Sequence, residues 1–192
     1  RSWIRNTSGT AASDTTKSGA AAHELGHNLG MNHSNSTKCT DSTGLVVAFG
    51  GTCTTIGYGD PFDTMGSQPP TRLLSALHRS ILTMLPAKSV ATATASGTYT
   101  LSSANVATAT AGVQSLRFAA GAATLELEYR NPSGVFDNFA TTDPAVNGVT
   151  IRSLPATPGS ATGDSHLIDM MPATSTTTDA PLLKGSLYDP AS

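Results

Sequence analysis

Residues 22–33 read Ala22-His23-Glu24-Leu25-Gly26-His27-Asn28-Leu29-Gly30-Met31-Asn32-His33, and the fold is predicted to form around this stretch. Residues four apart lie on one face of an α-helix, so His23 and His27 can direct their imidazoles at a single ion. Neutral imidazole is a good ligand for Zn²⁺. The spacing therefore predicts a helix that carries two metal ligands.

The remainder of this stretch supplies a third ligand and a base. Gly30 can adopt a left-handed conformation without a Cβ penalty, which ends the helix and lets the chain return with His33. Glu24 follows the first ligand, where its carboxylate can reach an activated water rather than the metal. Three protein ligands with one open position are typical of a catalytic zinc site. The alternative is an alanine-rich helix whose histidines are solvated or packed in the core.

A second landmark lies downstream and reads Tyr58-Gly59-Asp60-Pro61-Phe62-Asp63-Thr64-Met65-Gly66. Together the two stretches resemble the metzincin metallopeptidases, which carry a methionine-containing turn beneath the zinc site. The sequences of the two stretches are most similar to the gametolysin family. The resemblance implies a zinc endopeptidase that acts on a protein or glycoprotein substrate. It assigns Zn²⁺ to the ligands His23, His27 and His33, the general base to Glu24, and an apolar floor under the ligands to Met65.

Three further side chains near this turn have two interpretations each. Tyr58 could stabilise the oxyanion, by analogy with other metzincins, or it could serve in packing. Asp60 and Asp63 could orient a zinc histidine through a hydrogen bond, or they could stabilise the turn itself. The turn is the favoured interpretation for both carboxylates.

Composition and cysteine content bound the class of protein. The net charge is −2 and 12% of the 192 residues are charged, so no basic surface indicates a nucleic-acid partner. No apolar run approaches the roughly 18 residues that a membrane span needs. Cys39 and Cys53 flank a loop of about 15 residues, and a disulfide there is worth about 3 kcal/mol in the chain-entropy model. Two buried free thiols are the alternative, but we favour the disulfide and therefore a secreted, extracellular protein.

The first half of the chain predicts two helices joined by a long loop. The zinc helix is expected to begin near Thr16 or Ser18 and to run to about Leu29, with Leu25 and Leu29 toward the core. A Gly/Thr-rich stretch from Asn35 to Ile56 reads as a loop with one short strand at 44–49. Leucines at three- and four-residue spacing predict a second helix over 73–85, in which His78 has a surface or packing role.

After Pro86 the pattern changes to short alternating segments. Strands are predicted at 88–95, 98–102, 113–118, 124–130, 148–153 and 166–170. They suggest an antiparallel β-sandwich-like domain over 88–192, which follows a metzincin-like zinc subdomain over 1–87. The fold class is therefore α+β. Glu126 and Glu128 are expected on a solvated strand face, with a calcium site as the less favoured interpretation.

The resemblance to metzincins also raises a conflict, because these enzymes carry a twisted sheet before the zinc helix. Residues 1–22 are too short to supply that sheet, so the upstream sheet is expected to be missing. The leading hypothesis is a secreted zinc endopeptidase. The alternative is a non-catalytic binding or adhesion module that zinc stabilises, or an inactive fragment of a metallopeptidase.

Overall fold

The computed structural model describes residues 11–67, 72–107, 112–132, 136–154 and 164–186. The helices are α1 (Ala11–Asn28), α2 (Ala76–Ile81) and α3 (Pro144–Asn147), with a short 3₁₀ helix over Ala87–Ser89. The strands are β1 (Ser34–Thr40), β2 (Val46–Val47), β3 (Thr52–Ile56), β4 (Val90–Thr92), β5 (Ser115–Ala120), β6 (Ala123–Tyr129), β7 (Gly148–Leu154), β8 (Ser165–Ile168) and β9 (Leu182–Leu183). This mixture of helices and a larger sheet confirms the α+β class.

The nine strands of the described residues belong to one sheet. Its order is β2-β1-β8-β7-β6-β5-β4, with β3 also paired to β1 and β9 also paired to β7. The β1–β8 and β4–β5 pairs are parallel and the other pairs are antiparallel. The expected antiparallel sandwich is therefore replaced by a single mixed sheet in the described part of the chain. Alternation predicts half-buried strands, but it does not say how strands are divided between sheets.

The β1–β8 pair connects the metal-site motif to the last third of the chain. Ser34, which follows His33 directly, lies opposite Ser165, and their hydroxyl oxygens are 3.1 Å apart. The sheet therefore continues across the boundary predicted between residues 87 and 88, while the separate roles assigned to 1–87 and 88–192 stay predictions.

The stretch from Asn35 to Ile56 is the clearest departure from the expected secondary structure. It contains three strands, of which only β2 lies within the short strand predicted at 44–49. Cys39 of β1 lies opposite Cys53 of β3. These two residues form the predicted disulfide. Threonine and serine read as loop residues in a sequence, yet threonine is β-branched and suits the half-buried surface of a strand.

Both predicted helices have different bounds. α1 begins at Ala11, earlier than expected, and α2 covers only Ala76–Ile81. The strand predicted at 98–102 is absent from the structure. Leu25 and Leu29 are 56% and 50% exposed, so the expectation that they face the core is wrong. Within residues 17–28 of α1 the buried residues are instead Gly19, His23 and Gly26.

The two faces of the sheet differ in chemistry. One face packs Leu125, Ile151 and Ile168 together. The alternate residues on the other face include Glu126, Glu128 and Arg152, and all three are fully buried. The expectation of a solvated face at Glu126 and Glu128 is therefore wrong, because arginines and the loop that contains Asp60 and Asp63 cover it.

Candidate metal centre

Three histidines converge at one point beside α1. Their candidate ligand atoms lie within 4.8 Å of one another in His23, His27 and His33. The ring centroids of His23 and His27 are 4.8 Å apart, as are those of His27 and His33, and the distance between His23 and His33 is 5.4 Å. The three side chains could therefore bind a metal ion.

The two histidines of α1 are oriented through their Nδ1 atoms. Nδ1 of His23 lies 2.9 Å from the carbonyl oxygen of Thr64, and Nδ1 of His27 lies 2.9 Å from that of Met31. A carbonyl oxygen only accepts, so each Nδ1 carries the proton and donates it. This tautomer leaves the lone pair of each Nε2 available, which is the arrangement that metal-binding histidines adopt.

The third histidine provides the test of whether these residues fit a metal ion. Nε2 of His33 is buried and has no hydrogen-bond partner among the described residues. Burial lowers the pKa of His33, as do His27 and His23, against the opposing effect of Asp164 and Glu24. The lowered pKa favours the neutral imidazole, and a transition metal would satisfy its buried nitrogen.

The end of α1 brings His33 back toward the helix. Gly30 has φ of +90°, the N–H of Met31 donates to the carbonyl of Gly26 (3.0 Å), and the N–H of Gly30 donates to that of His27 (3.1 Å). This pair of hydrogen bonds is the Schellman motif, which reverses the chain direction after a helix. The predicted helix stop at Gly30 is therefore present.

The loop that contains Met65 lies beneath the helix. Met65 is fully buried, and a Cβ added to Gly26 would overlap with its sulfur. The N–H of Ser34 donates to the carbonyl of Met65 over 2.8 Å. Met65 thus contacts α1 between the two ligand histidines and also anchors the residue that follows His33.

Asp63 and Asp60 act within the turn and toward neighbouring elements. Oδ1 of Asp63 accepts from the N–H of Met65 (2.8 Å), and Oδ2 accepts from the N–H of Ser75 (2.9 Å) and from Nδ1 of His78 (2.8 Å). Asp60 accepts from the N–H of Phe62 at 2.8 Å and from Nε of Arg152 at 2.7 Å. These contacts place both carboxylates in the turn and its supports, and His78 is fully buried in the same network.

Tyr58 lies at the mouth of the histidine cluster. Its ring centroid is 4.0 Å from that of His33 and 5.9 Å from that of His23, and the residue is 46% exposed. Its φ is +58°, and its N–H donates to Oδ1 of Asn35 at 3.0 Å. The side chain therefore contacts the third histidine and also faces solvent.

Apart from Glu24, the other groups around the site carry no sequence motif. The carbonyls of Thr64 and Met31 belong to the backbone, so no residue type reveals them. Asp164 precedes β8 directly and influences the pKa of His33, because the β1–β8 register aligns the two chain segments. Glu24 is half-buried on α1 and acts on the same imidazole.

Comparisons with protein-family models, with curated proteins and with solved structures found no match to this chain. Within the described residues, no helix combines the length and the apolar character that crossing a lipid bilayer requires.

Proposed function

We propose that this chain is a secreted zinc endopeptidase of the gametolysin type, which hydrolyses peptide bonds of a protein or glycoprotein substrate. The observation that carries the proposal is the convergence of three histidines, two of them oriented through Nδ1, with Glu24 beside the first of them. Zinc is the ion that this ligand set suits best, because three imidazoles are a ligand set of catalytic zinc sites.

A zinc ion bound here would polarise the scissile carbonyl and lower the pKa of the attacking water. Glu24 accepts the proton of that water on its carboxylate and delivers it to the nitrogen of the leaving amine. Tyr58 stands on the exposed side of His33, where its hydroxyl can donate to the carbonyl oxygen as negative charge develops there. Met65 and the two backbone carbonyls hold the ligands in place.

Two other features support secretion and hydrolysis rather than a purely structural ion. The Cys39–Cys53 disulfide is compatible with an oxidising, extracellular compartment. His27, His33 and the neighbouring Tyr58 are also partly exposed, whereas a structural zinc site is closed by a fourth protein ligand. Among the described residues, the group of possible metal ligands contains only the three histidines.

The proposal is tested by replacing the base without disturbing the ligands. We expect Glu24→Ala to lower the rate of casein cleavage by at least about 10²–10⁴-fold, because proton transfer is lost. Zinc content, measured by mass spectrometry of the purified protein, should stay at one ion per chain. Leu25→Ala is the matched control, since Leu25 is the next residue of α1 and is exposed.

Two outcomes would contradict the proposal. Equal cleavage by the wild type and Glu24→Ala would remove Glu24 as the base. Stoichiometric zinc in a wild type that cleaves no peptide, together with unfolding on chelation, would favour the zinc-stabilised binding or adhesion module.

A further inference from the structure

A cleft of about 920 Å³ is lined by Tyr58 and by none of the three histidines. Tyr58 connects it to the candidate metal centre, because its ring lies 4.0 Å from that of His33. A substrate that extends from the histidines past Tyr58 would enter this cleft.

One wall of the cleft is apolar. Phe62 and Phe139 line it with their ring centroids 6.2 Å apart, and both are buried in one core cluster. Such a wall suits the aliphatic part of a long side chain, which gains by leaving water.

Another part of the lining is the segment 174–179, which is attached to the loop that contains Tyr58 and Met65. The hydroxyl of Thr177 donates to the carbonyl of Gly59 at 2.9 Å, directly after Tyr58. The hydroxyl of Thr174 donates to Oδ1 of Asp179 at 3.3 Å. The position of Asp179 is therefore tied to that of Tyr58.

Asp169 and Asp179 give this end of the cleft an unbalanced negative charge. Asp169 is 9% exposed, and its Oδ1 accepts from the N–H of Met171 at 2.8 Å. No ion pair joins either carboxylate to a cation in the described part of the chain. Burial raises the pKa of Asp169, and the neighbouring Asp179 raises it further.

The cations that line the cleft do not neutralise these two carboxylates. The guanidinium of Arg72 lies 3.9 Å from the ring centroid of Phe139 and donates to Oδ1 of Asn138. The negative charge of Asp143 acts to raise the pKa of this guanidinium. Lys38 is exposed and forms no ion pair with Asp169 or Asp179. A cation brought by a ligand would complete the charge balance of the cleft.

One more polar group at the cleft has no hydrogen-bond partner among the residues that the structure describes. Ser36 is 1% exposed, lines the cleft, and its hydroxyl makes no hydrogen bond. A buried hydroxyl without a partner costs free energy, and a bound ligand can supply the missing bond.

We infer that this cleft binds a lysine or arginine side chain of the peptide substrate, close to the bond that is cleaved. Asp169 and Asp179 lie at the cationic end of that side chain, and Phe62 and Phe139 lie along its aliphatic stem. The inference rests on the proposed peptidase function. A calcium ion fits less well, because it requires six to eight oxygen ligands and the cleft is far larger than an ion.

The first experiment measures specificity. In one set of fluorogenic peptides, each peptide has a single lysine at a different position on either side of the cleaved bond. A matched set has norleucine at the same positions. We expect kcat/KM to favour lysine by roughly tenfold at one position, and Asp169→Asn and Asp179→Asn each to reduce that preference at least about fivefold. Because norleucine carries no cation, kcat/KM for the norleucine peptide should fall much less in these variants than kcat/KM for the lysine peptide.

Asp143→Asn is the matched control, because Asp143 lines the same cleft but lies near Arg72. It should retain the lysine preference. A wild type that cleaves both peptide sets equally at every position overturns the inference while leaving the peptidase function intact.

The second experiment does not depend on cleavage. Binding of N-acetyl-arginine amide and N-acetyl-norleucine amide to the Glu24→Ala variant is followed by NMR chemical shifts. We expect shifts around Asp169 with the arginine compound only, and their loss on adding Asp169→Asn. Equal binding of the two compounds, or calcium binding that Asp169→Asn abolishes without any arginine preference, overturns the inference.

Discussion

At the scale of single residues, each α1 histidine is fixed through the nitrogen that faces away from the candidate metal position. His23 donates to Thr64 in the Met65 turn, and His27 donates to Met31 just after the helix. The two acceptors are backbone carbonyls in short, supported segments. The imidazoles therefore need little rearrangement to bind an ion, which reduces the entropy lost on binding.

Gly26 tests how closely the methionine turn approaches the helix. We expect Gly26→Ala to destabilise the protein by about 1–3 kcal/mol, because the new methyl group overlaps with the buried sulfur of Met65. Urea unfolding gives this difference, and zinc affinity should fall with it.

In a Met65→Ala background, the effect of Gly26→Ala on the free energy of unfolding is expected to change sign. With the sulfur removed, Gly26→Ala should be neutral or stabilise by up to about 1 kcal/mol, since alanine favours a helix over glycine. The same loss of stability in both backgrounds would show that Met65 does not contact the helix at this position.

At the scale of elements, the end of α1 and the start of β1 together determine where His33 lies. Four residues separate Asn28, the last residue of α1, from His33, and the Schellman hydrogen bonds fix the path of these four residues. The hydrogen bond from Ser34 to Met65 and the pairing of β1 with β8 then fix the other side. His33 is thus held from both directions along the chain.

Gly30→Ala is expected to weaken both this helix end and metal binding. A non-glycine residue at φ of +90° costs about 1–2 kcal/mol, and relief of that strain would move His33. Unfolding in urea and zinc titration with a competing chelator measure the two effects.

Gly97→Ala is the control for this substitution, since Gly97 has no positive φ and its added Cβ would make only ordinary contacts. It should leave zinc affinity unchanged. Full zinc affinity in Gly30→Ala would contradict the role of this turn in placing His33.

At the scale of the whole molecule, a buried ionic network joins the loop that contains Asp60 and Met65 to the sheet. Arg152 of β7 binds Asp60 at 2.7 Å and lies 3.5 Å from Glu128 of β6, which also binds Arg130 at 2.7 Å. Arg130 in turn binds Asp137 at 3.0 Å. All five groups are fully buried. Loss of Arg152 would leave Asp60 as an unpaired charge in the interior, and loss of Arg130 would leave Asp137 so.

Arg152→Met should therefore destabilise the protein by about 3–5 kcal/mol, since it leaves Asp60 without its cation. The effect should reach the metal site, because Asp60 belongs to the loop that supports Met65. Lys88→Met, at an exposed position, should change the free energy of unfolding by no more than about 0.5 kcal/mol. A loss under 1 kcal/mol for Arg152→Met would show that the network does not anchor the loop.

The same network predicts a specific pH dependence. Burial alone would raise the pKa of Glu128, but Arg130, Arg152 and Arg79 outweigh it and hold the pKa below its usual range. A carboxyl whose pKa is lower in the folded state stabilises the protein above its unfolded pKa of about 4.3, and this stabilisation is lost as the pH falls further.

Glu128→Gln isolates this contribution. The difference in unfolding free energy between wild type and Glu128→Gln, measured in urea with a chelator present, should be constant above about pH 5.5. It should shrink between about pH 5 and pH 3. A difference that stays constant through this lower range would show that the pKa of Glu128 is not depressed.

Local sequence patterns predicted several parts of this molecule correctly. The helical spacing of His23 and His27, the helix stop at Gly30, the Cys39–Cys53 disulfide and the α+β class all follow from residue types close together in sequence. Helix periodicity, a left-handed glycine and a short covalent loop depend on near neighbours. A reader of the sequence alone can therefore find them.

Tertiary structure decided the rest. Pairing of β1 with β8 brings together residues 131 positions apart, which places Asp164 near His33 and makes one sheet where a sandwich was expected. Burial of Glu126 and Glu128 depends on arginines and a loop that arrive from elsewhere in the chain. Alternation within a strand shows which residues share a face, but only the packed neighbours decide whether that face meets water.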